Sequence, residues 1–524
     1  MIKNKKILLI FYTLAPAILF WLSWPPRDLF FLSFIAFVPL FLLEQRTHDY
    51  SKSGWLIYLS LFLWNLVISW WVGFADFYSS VFMLFANAGL MYLPWLGYRK
   101  GRKIVSDEKA FLIFVALWLS FEYLHLNWQI TWPWFTLGNI FAKHNEVVQW
   151  YEITGVLGGS LWVLVANICW YIAITKKTKS AWIISFTTIC VPALISIPFY
   201  LTHSKDYDAI EMQNRPRKAL LVQPNIDPYT KFNTTTEISN FKEMLSLIET
   251  KMNDSIDYVI LPETAIVEYV DEKNLDRFTS IRIVKHFVKK YPQIHLVSGI
   301  STYKFFNKNE RLSSTARQTE SGEFYDSYNT ALIIDSTKNI DFYHKGKLVP
   351  GAEILPYPKL FGFLSFLSIN LGGVSGSLGS DKEALVFNAG NKPNLAPLIC
   401  YESVFSGHVA QFCRKGAEIL LVITNDGWWR DTDGYKQHMH YASLRAIENR
   451  REVLRSANTG ITCRIDKLGR IQEQTSWWEK DIIAVDVYPF QNMTFYATYG
   501  DYLGRLASFM GVFFILGMLV KRKN

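Results

Sequence analysis

The sequence is poor in charge for its length. Of its 524 residues, 19% are charged, whereas soluble domains carry about 25% charged residues. Half of the residues are hydrophobic, which excludes an intrinsically disordered chain. Five cysteines in so long a chain exclude a disulfide scaffold, and 29 glycines without a repeat exclude collagen. What remains is a membrane protein with a sizeable globular part.

Apolar runs long enough to cross a membrane are frequent, since a spanning helix needs about 18 residues or more. Seven candidates precede residue 203 and an eighth closes the chain: 7–24, 28–43, 55–73, 79–97, 110–127, 155–175, 181–201 and 504–520. The first run lacks a signal-peptide cleavage site and is expected to be retained. We therefore predict a membrane domain over 1–202 with seven transmembrane helices, an outer domain over 203–503, and a final helix with its tail over 504–524.

The basic residues between these runs are unevenly distributed. The two termini and every second loop hold 16 lysines and arginines, whereas the opposite short loops hold only Arg27 and Lys143. Cytoplasmic loops are enriched in basic residues, so both termini are predicted to be cytoplasmic and 203–503 to lie in the periplasm of a bacterium. The net charge of +9 then reflects topology, and we expect no nucleic-acid partner.

From Lys218 onward, short apolar runs alternate with amphipathic helical patterns. Six runs are typical of buried strands: 219–225, 257–263, 294–301, 329–336, 395–402 and 418–426. Four helices are predicted near them: 236–252, 274–290, 404–415 and 435–454. Buried strands separated by helices predict an α/β domain whose sheets are covered by helices.

In α/β folds, reactive groups collect just past the ends of strands. Three strand endings carry such groups: Glu263, then Lys345 or Lys347 with Glu353, and Cys400 with Tyr401 and Glu402. A buried carboxylate could take the proton of a thiol, and a lysine could stabilise the oxyanion that forms when the thiolate attacks a carbonyl. These groups suffice for acyl transfer through a cysteine.

Other kinds of site have no sequence signal. Neither a zinc pattern, a dinucleotide-binding glycine motif nor a phosphate-binding loop occurs, so we expect no metal and no cofactor. His438 and His440 lie in a helical pattern that points them apart. The spacing leaves open whether Cys413 and Cys463 form a disulfide.

Three motifs resemble those of the nitrilase superfamily: LPETAI at 261–266, KGKLVPGAE at 345–353 and LICYE at 398–402. Together with seven spans before the outer domain and one after it, they resemble the apolipoprotein N-acyltransferase family. The resemblance implies an αββα sandwich with Glu263 as general base, Lys345 as oxyanion-stabilising lysine and Cys400 as nucleophile. It also implies supporting residues: Glu353 beside the lysine, the Tyr401 backbone N–H as an oxyanion donor, and Glu402, whose role is left open between catalysis and structure.

The resemblance further implies a ping-pong N-acyltransferase. The sn-1 acyl chain of a phospholipid would pass to the cysteine as a thioester, and then to the α-amino group of the diacylglyceryl-cysteine that begins a bacterial lipoprotein. The implied partners are the phospholipid donor and the diacylated apolipoprotein, bound by a monomer in the inner membrane. Two alternatives stay open, namely a membrane-anchored amidase of the nitrilase type and a lipid-binding or transport protein without catalysis.

The apolar segment 360–371 is about 12 residues long, too short to span a membrane. It is either a core helix or an interfacial arm that gates lipid entry, and in the second case Phe363 and Phe366 would enter the leaflet.

Overall fold

The computed structural model describes residues 2–47, 50–213, 216–229, 231, 237–337, 339–361 and 377–521. The chain forms two compact units. The helical unit contains Met1–His203 and Tyr499–Asn524, and the α/β unit contains Ser204–Thr498.

Fifteen α-helices lie in the described residues. They are α1 Ile2–Ser23, α2 Val38–Arg46, α3 Tyr50–Ser69, α4 Phe77–Gly101, α5 Asp107–Asn127, α6 Tyr151–Thr154, α7 Val156–Lys176, α8 Lys179–Gln213, α9 Glu237–Glu249, α10 Thr279–Lys290, α11 Pro358–Phe361, α12 Ser406–Arg414, α13 Asp433–Asn449, α14 Phe495–Tyr499 and α15 Tyr502–Lys521.

Within those residues, seven helices are long and apolar enough to cross a membrane. They are Lys6–Ser23, Tyr50–Phe74, Phe77–Gly101, Asp107–Asn127, Val156–Lys176, Lys179–Ala209 and Tyr502–Val520. Large apolar side chains face outward from them, among them Phe77 at 65% and Phe509 at 73% exposure. Exposed apolar surface on such helices is what lipid contact requires. The predicted multi-pass helical membrane part is confirmed.

The segment predicted to form a helix over 28–43 differs from that expectation. It contains a 3₁₀ helix, Phe30–Ile35, followed by the nine-residue α2. Two backbone groups at the break find hydrogen-bond partners on α7. Asn167 accepts a hydrogen bond from the Phe37 N–H (2.7 Å) and donates one to the Ser33 carbonyl (2.8 Å). An apolar run does not reveal such a break, since hydropathy counts residues and not hydrogen bonds.

This interrupted segment still connects opposite faces of the helical unit. Asp28 forms an ion pair with Lys143 in the loop after α5 (2.6 Å), whereas Glu44 pairs with Arg99 at the end of α4 (2.9 Å). The helix α5 begins on the face where α4 ends and runs to the opposite face, where the loop with Lys143 follows. The two ion pairs therefore lie on opposite faces. Phe37 between them is fully buried. Irregular backbone at membrane depth is tolerated where protein surrounds it.

The α/β unit contains two sheets. The eight-stranded sheet has the order β13-β1-β2-β4-β6-β5, with β3 paired to β4 and β7 paired to β6. Its strands are β1 Arg217–Gln223, β2 Tyr258–Ile260, β3 Ile266–Asp271, β4 His295–Phe305, β5 Arg317–Gln318, β6 Phe324–Ile334, β7 Ile340–His344 and β13 Asp481–Val487. The five-stranded sheet, in the order β12-β11-β10-β9-β8, contains β8 Leu395–Ile399, β9 Ile419–Thr424, β10 Glu452–Ala457, β11 Cys463–Ile465 and β12 Ile471–Gln474.

The two sheets pack face to face between layers of helices. On β1, Leu221 belongs to the core shared with the five-stranded sheet, whereas its neighbour Leu220 belongs to the core that includes α9 and α10. This alternation follows from the two-residue period of a strand. Phe412 of α12 and Ala446 of α13 pack against the five-stranded sheet. The predicted αββα sandwich is confirmed.

The helix predicted over 435–454 ends earlier than expected. It stops at Asn449, Arg450 adopts a left-handed conformation (φ 48°), and the chain continues into β10. Every residue of β10 is buried, including Glu452 and Arg455, which are both ion-paired. Because these charged residues interrupt the apolar residues of β10, the sequence there shows no apolar run that would predict a buried strand.

Cys413 and Cys463, whose pairing the sequence leaves open, are both free and buried. The segment 360–371 is described only as far as Phe361, where α11 ends. Phe363 and Phe366, the predicted lipid-entry residues, lie outside the described residues.

Candidate active site

Each of the three predicted catalytic residues follows a strand. Glu263 comes three residues after β2, Lys345 comes directly after β7, and Cys400 comes directly after β8. Cys400 has a left-handed backbone conformation (φ 51°), as does Thr264 next to Glu263 (φ 51°). Such a conformation costs a residue with a side chain about 1–2 kcal/mol and turns the chain sharply. At Cys400 it ends β8 abruptly.

A buried cluster surrounds the Lys345 ammonium group, which is 1% exposed. Its Nζ lies 2.8 Å from Glu353 Oε1 and 3.3 Å from Glu263 Oε1. Asn329 on β6 bridges the two carboxylates, because its Nδ2 donates to Glu263 Oε1 (2.8 Å) and to Glu353 Oε1 (3.0 Å). The structure therefore brings three of the predicted site residues together.

Close backbone packing holds Glu263 in this cluster. Gly299 on β4 lies so near that a Cβ atom there would be 2.6 Å from the Glu263 Cα. A side chain at this position would push Glu263 away from the lysine, so the approach requires glycine.

The charges of the cluster favour a cationic lysine. Burial alone would lower the pKa of Lys345, but Glu353, Glu263 and Cys400 outweigh burial, and the pKa of Lys345 is raised well above its ordinary value. The ammonium group therefore stays charged and can stabilise a developing negative charge.

Cys400 has the opposite tendency. Burial raises the pKa of its thiol strongly, Glu263 and Asp426 act in the same direction, and Lys345 only partly opposes them. The resting residue is thus a thiol, and a base must remove its proton when it attacks. Glu263 is the carboxylate whose charge most affects this thiol.

Glu402, whose role the sequence leaves open, is fully buried and connects two segments of the site. Its carboxylate accepts hydrogen bonds from Tyr343 Oη (2.5 Å), the Gly346 N–H (2.7 Å), the Lys347 N–H (3.3 Å), His408 Nε2 (2.9 Å) and the Ile399 N–H (2.8 Å). Burial alone would raise the pKa of Glu402, but His408 and these other donors lower it. The Glu402 carboxylate therefore ties the loop that carries Lys345 to the turn that carries Cys400.

Tyr401, the predicted oxyanion donor, is 4% exposed, and its ring packs edge-on against Phe405 (centroids 4.9 Å apart). Lys347, the other lysine of the motif, lies with its ammonium group over the Phe405 ring at 5.2 Å. The contacts with Glu263 and Glu353 are made by Lys345.

Sequence reasoning missed Asn329 and Lys231. Lys231 is 1% exposed, and its Nζ donates to the Glu263 carbonyl oxygen (3.1 Å). Burial lowers the pKa of Lys231 to about 8, against the opposing charge of Glu263. Asn329 carried a weak signal as a polar residue opening an apolar run, whereas Lys231 stands in a polar stretch that gave none.

No group of three or more histidine, cysteine, aspartate or glutamate side chains in the described part of the chain could hold a metal ion.

His344, directly before Lys345, is held between two carboxylates. Its Nδ1 lies 3.1 Å from Asp381 Oδ1 and its Nε2 lies 2.7 Å from Glu272 Oε1, while its ring stacks on Tyr328 at 3.9 Å. Burial alone would lower the pKa of His344, but hydrogen bonds to Asp381 and Glu272 raise the pKa from 6.5 to about 9.

A group whose pKa is raised by folding stabilises the fold fully below its unfolded pKa and loses that effect as pH rises through its folded pKa. For His344 this window runs from pH 6.5 to about pH 9, and the stabilisation at stake is about 3 kcal/mol. We expect the thermal unfolding midpoint of the full chain in detergent to fall across this window, and to fall less in His344→Gln. The exposed His286 supplies the control, His286→Gln. Equal slopes in all three proteins would contradict the expectation.

Comparisons with known protein families agree with this architecture. The family model for the apolipoprotein N-acyltransferase N-terminal domain matches residues 16–169, and the carbon-nitrogen hydrolase model matches residues 218–489. The apolipoprotein N-acyltransferase of Chlorobaculum tepidum is 29% identical over 489 residues, which cover 91% of this chain and 90% of that protein. Apolipoprotein N-acyltransferase 1 of Treponema denticola is 27% identical over 563 residues, which cover 100% of this chain and 99% of the relative.

These matches confirm the predicted resemblance to the nitrilase superfamily and to the apolipoprotein N-acyltransferases. They cover both units of the chain, so the likeness extends to the combination of the units. The chain belongs to the carbon-nitrogen hydrolase family, in the membrane-embedded form that the apolipoprotein N-acyltransferases represent.

Proposed function

We propose that this protein is an apolipoprotein N-acyltransferase of the bacterial inner membrane. It transfers the sn-1 acyl chain of a phospholipid to the α-amino group of the diacylglyceryl-cysteine of a lipoprotein. The observation that carries the proposal is the buried cluster in which Lys345 contacts Glu263 and Glu353, with Cys400 at the neighbouring strand end. The described part of the same chain contains seven helices able to cross a membrane.

In the first half-reaction, Glu263 accepts the proton of the Cys400 thiol as the sulfur attacks the sn-1 ester carbonyl. The carbonyl electron pair moves to oxygen, where Lys345 Nζ and the Tyr401 N–H stabilise the oxyanion. The intermediate collapses by breaking the ester C–O bond. The lysophospholipid alkoxide takes the proton from Glu263, and a thioester remains on Cys400.

In the second half-reaction, the α-amino group of the acceptor attacks the thioester carbonyl and Glu263 accepts the proton that the nitrogen loses. Collapse breaks the C–S bond, forms the amide and returns the proton to Cys400. A thioester reacts readily with amines, and a site closed to water limits its hydrolysis.

The charge distribution and the course of the chain support a periplasmic location of the α/β unit. We take the segment 28–46 as a crossing, and the ion pairs of its two ends on opposite faces of the helical unit support this. Seven crossings then precede residue 204, and the 16 basic residues on one side favour cytoplasmic termini. Both lipid substrates are available in the outer leaflet on the periplasmic side. We propose that the enzyme acts there as a monomer.

The test is the intact mass of the purified full chain after incubation with phospholipid vesicles. We expect the chain to gain the mass of one fatty acyl group, the Cys400→Ala variant to gain none, and a diacylated lipopeptide to remove the group from the wild-type chain. Cys413→Ala is the matched control, because Cys413 is a buried thiol outside the cluster. Absence of any adduct would favour a non-catalytic lipid-binding protein, and an adduct formed only with small amides would favour an amidase.

A further inference from the structure

A second buried network contacts the backbone carbonyl oxygen of Cys400. His438 on α13 places Nε2 3.1 Å from the Cys400 carbonyl oxygen and 3.0 Å from Ser403 Oγ. Ser403 Oγ in turn donates to the same carbonyl oxygen (2.8 Å). The Cys400 carbonyl thus has two hydrogen-bond partners that the acyl-transfer steps above do not use.

The other ring nitrogen of His438, Nδ1, is also hydrogen-bonded. It lies 2.9 Å from Asp426 Oδ1, which also accepts from Thr424 Oγ1 (2.8 Å), and Asp426 forms an ion pair with Arg455. His438, Asp426 and Arg455 are all completely buried. Burial alone would raise the pKa of Asp426, but Arg455 and His438 lower it to about 2. The ionised carboxylate therefore holds the ring in a single orientation. Because Asp426 Oδ1 and the Cys400 carbonyl oxygen can only accept, His438 donates to both of them as an imidazolium.

The direction of the Cys400 carbonyl matters because a trans peptide group is planar. The Cys400 C=O and the Tyr401 N–H belong to one such group and point in opposite directions. Because His438 and Ser403 hold the Cys400 carbonyl, the Tyr401 N–H points away from these two side chains. Donors on the carbonyl oxygen also polarise the peptide, which makes its N–H a stronger donor.

We infer that His438, together with Ser403, is a positioning residue that orients the Tyr401 N–H as an oxyanion donor through the Cys400 carbonyl. The left-handed conformation of Cys400 (φ 51°) is costly, and these two hydrogen bonds hold the peptide group in place. His438 touches neither substrate nor the sulfur in this role. The inference rests on the proposed acyl transfer, since only a step that forms an oxyanion uses this N–H.

The test separates oxyanion formation from thiol reactivity. Acylation of Cys400 by p-nitrophenyl palmitate forms an oxyanion, whereas alkylation of the same thiol by iodoacetamide does not. In the His438→Ala full chain in detergent we expect acylation to slow about 10²-fold, the loss seen when one oxyanion donor is removed. The alkylation rate should change by less than about threefold, because the thiol and its base are unaltered.

Two further variants sharpen the result. His438→Gln keeps a side-chain N–H donor and should recover part of the acylation rate. His440→Ala, two residues along the same helix, should leave both rates at the wild-type values. Should His438→Ala fail to fold, Ser403→Ala removes the other donor to the same carbonyl and should show the same split between the two rates.

An equal fall in acylation and alkylation would overturn the inference, because it would mean that the network positions the thiol and not the N–H. Unchanged acylation in His438→Ala or Ser403→Ala would also overturn it. Failure of the proposed function would appear elsewhere, as a wild-type chain that gains no acyl group from phospholipid.

Discussion

Replacing Lys345 with methionine is expected to slow acyl-enzyme formation about 10³-fold, the upper range for removing one oxyanion-stabilising group. The same change should also destabilise the α/β unit. Lys345 is 1% exposed and contacts Glu263 and Glu353, so its removal takes the paired cation from one buried and one partly buried carboxylate. Breaking a buried ion pair in this way costs about 3–5 kcal/mol.

Acylation from phospholipid vesicles, followed by intact mass, measures the first effect, and the thermal unfolding midpoint measures the second. Lys347→Met is the matched control, because Lys347 lies two residues away in the same loop and its ammonium group lies over the Phe405 ring. We expect the control to keep most of the acylation rate. A Lys345→Met protein that acylates at the wild-type rate would remove Lys345 from the mechanism.

Replacing Glu402 with glutamine is expected to lower both stability and activity, although Glu402 is not proposed to touch substrate. The glutamine side chain keeps the size of glutamate, but it loses the charge and presents an N–H₂ group to backbone and side-chain donors. Removing one partner from such a buried charged network costs about 3–5 kcal/mol. The loop carrying Lys345 would then no longer be tied to the turn carrying Cys400, so acylation should fall as well.

The unfolding midpoint and the acylation rate of the full chain test this, with Glu383→Gln as control. Glu383 is 82% exposed and pairs with the exposed Lys415, and such surface pairs contribute about 0–1 kcal/mol. We expect the control to match the wild type in both measurements. A Glu402→Gln protein with normal stability and reduced activity would contradict a positioning role and favour a catalytic one.

The residues at the strand ends show how much of the site can be predicted from local sequence patterns. Apolar runs predicted β2 and β8, and the chemistry of the residues after them singled out Glu263 and Cys400. The strand β7 before Lys345 was not predicted, because its five residues carry no long apolar run and only Tyr343 among them is buried. Lys345 was singled out as an alternative to Lys347, and the resemblance to known motifs then favoured it.

The partners of these residues come from distant parts of the chain. Asn329 reaches Glu263 across 66 positions, and Tyr343 reaches Glu402 across 59. His438 lies 38 positions from the carbonyl it contacts, and its helical pattern suggested only two histidines facing apart. No sequence period encodes such contacts, since they depend on which strands pair and how the two sheets stack.

The sequence alone determined the class of protein, the membrane-spanning runs, the α/β character of the outer unit and the residue types able to carry acyl transfer. These follow from composition and from periods of two or about 3.6 residues, which act over short distances. The tertiary structure decided that the segment 28–46 is a broken helix buried in the helical unit, that Glu402 joins two loops, and that His438 contacts the backbone carbonyl of Cys400. Each of these depends on a hydrogen bond or ion pair between residues that only the folded chain brings together.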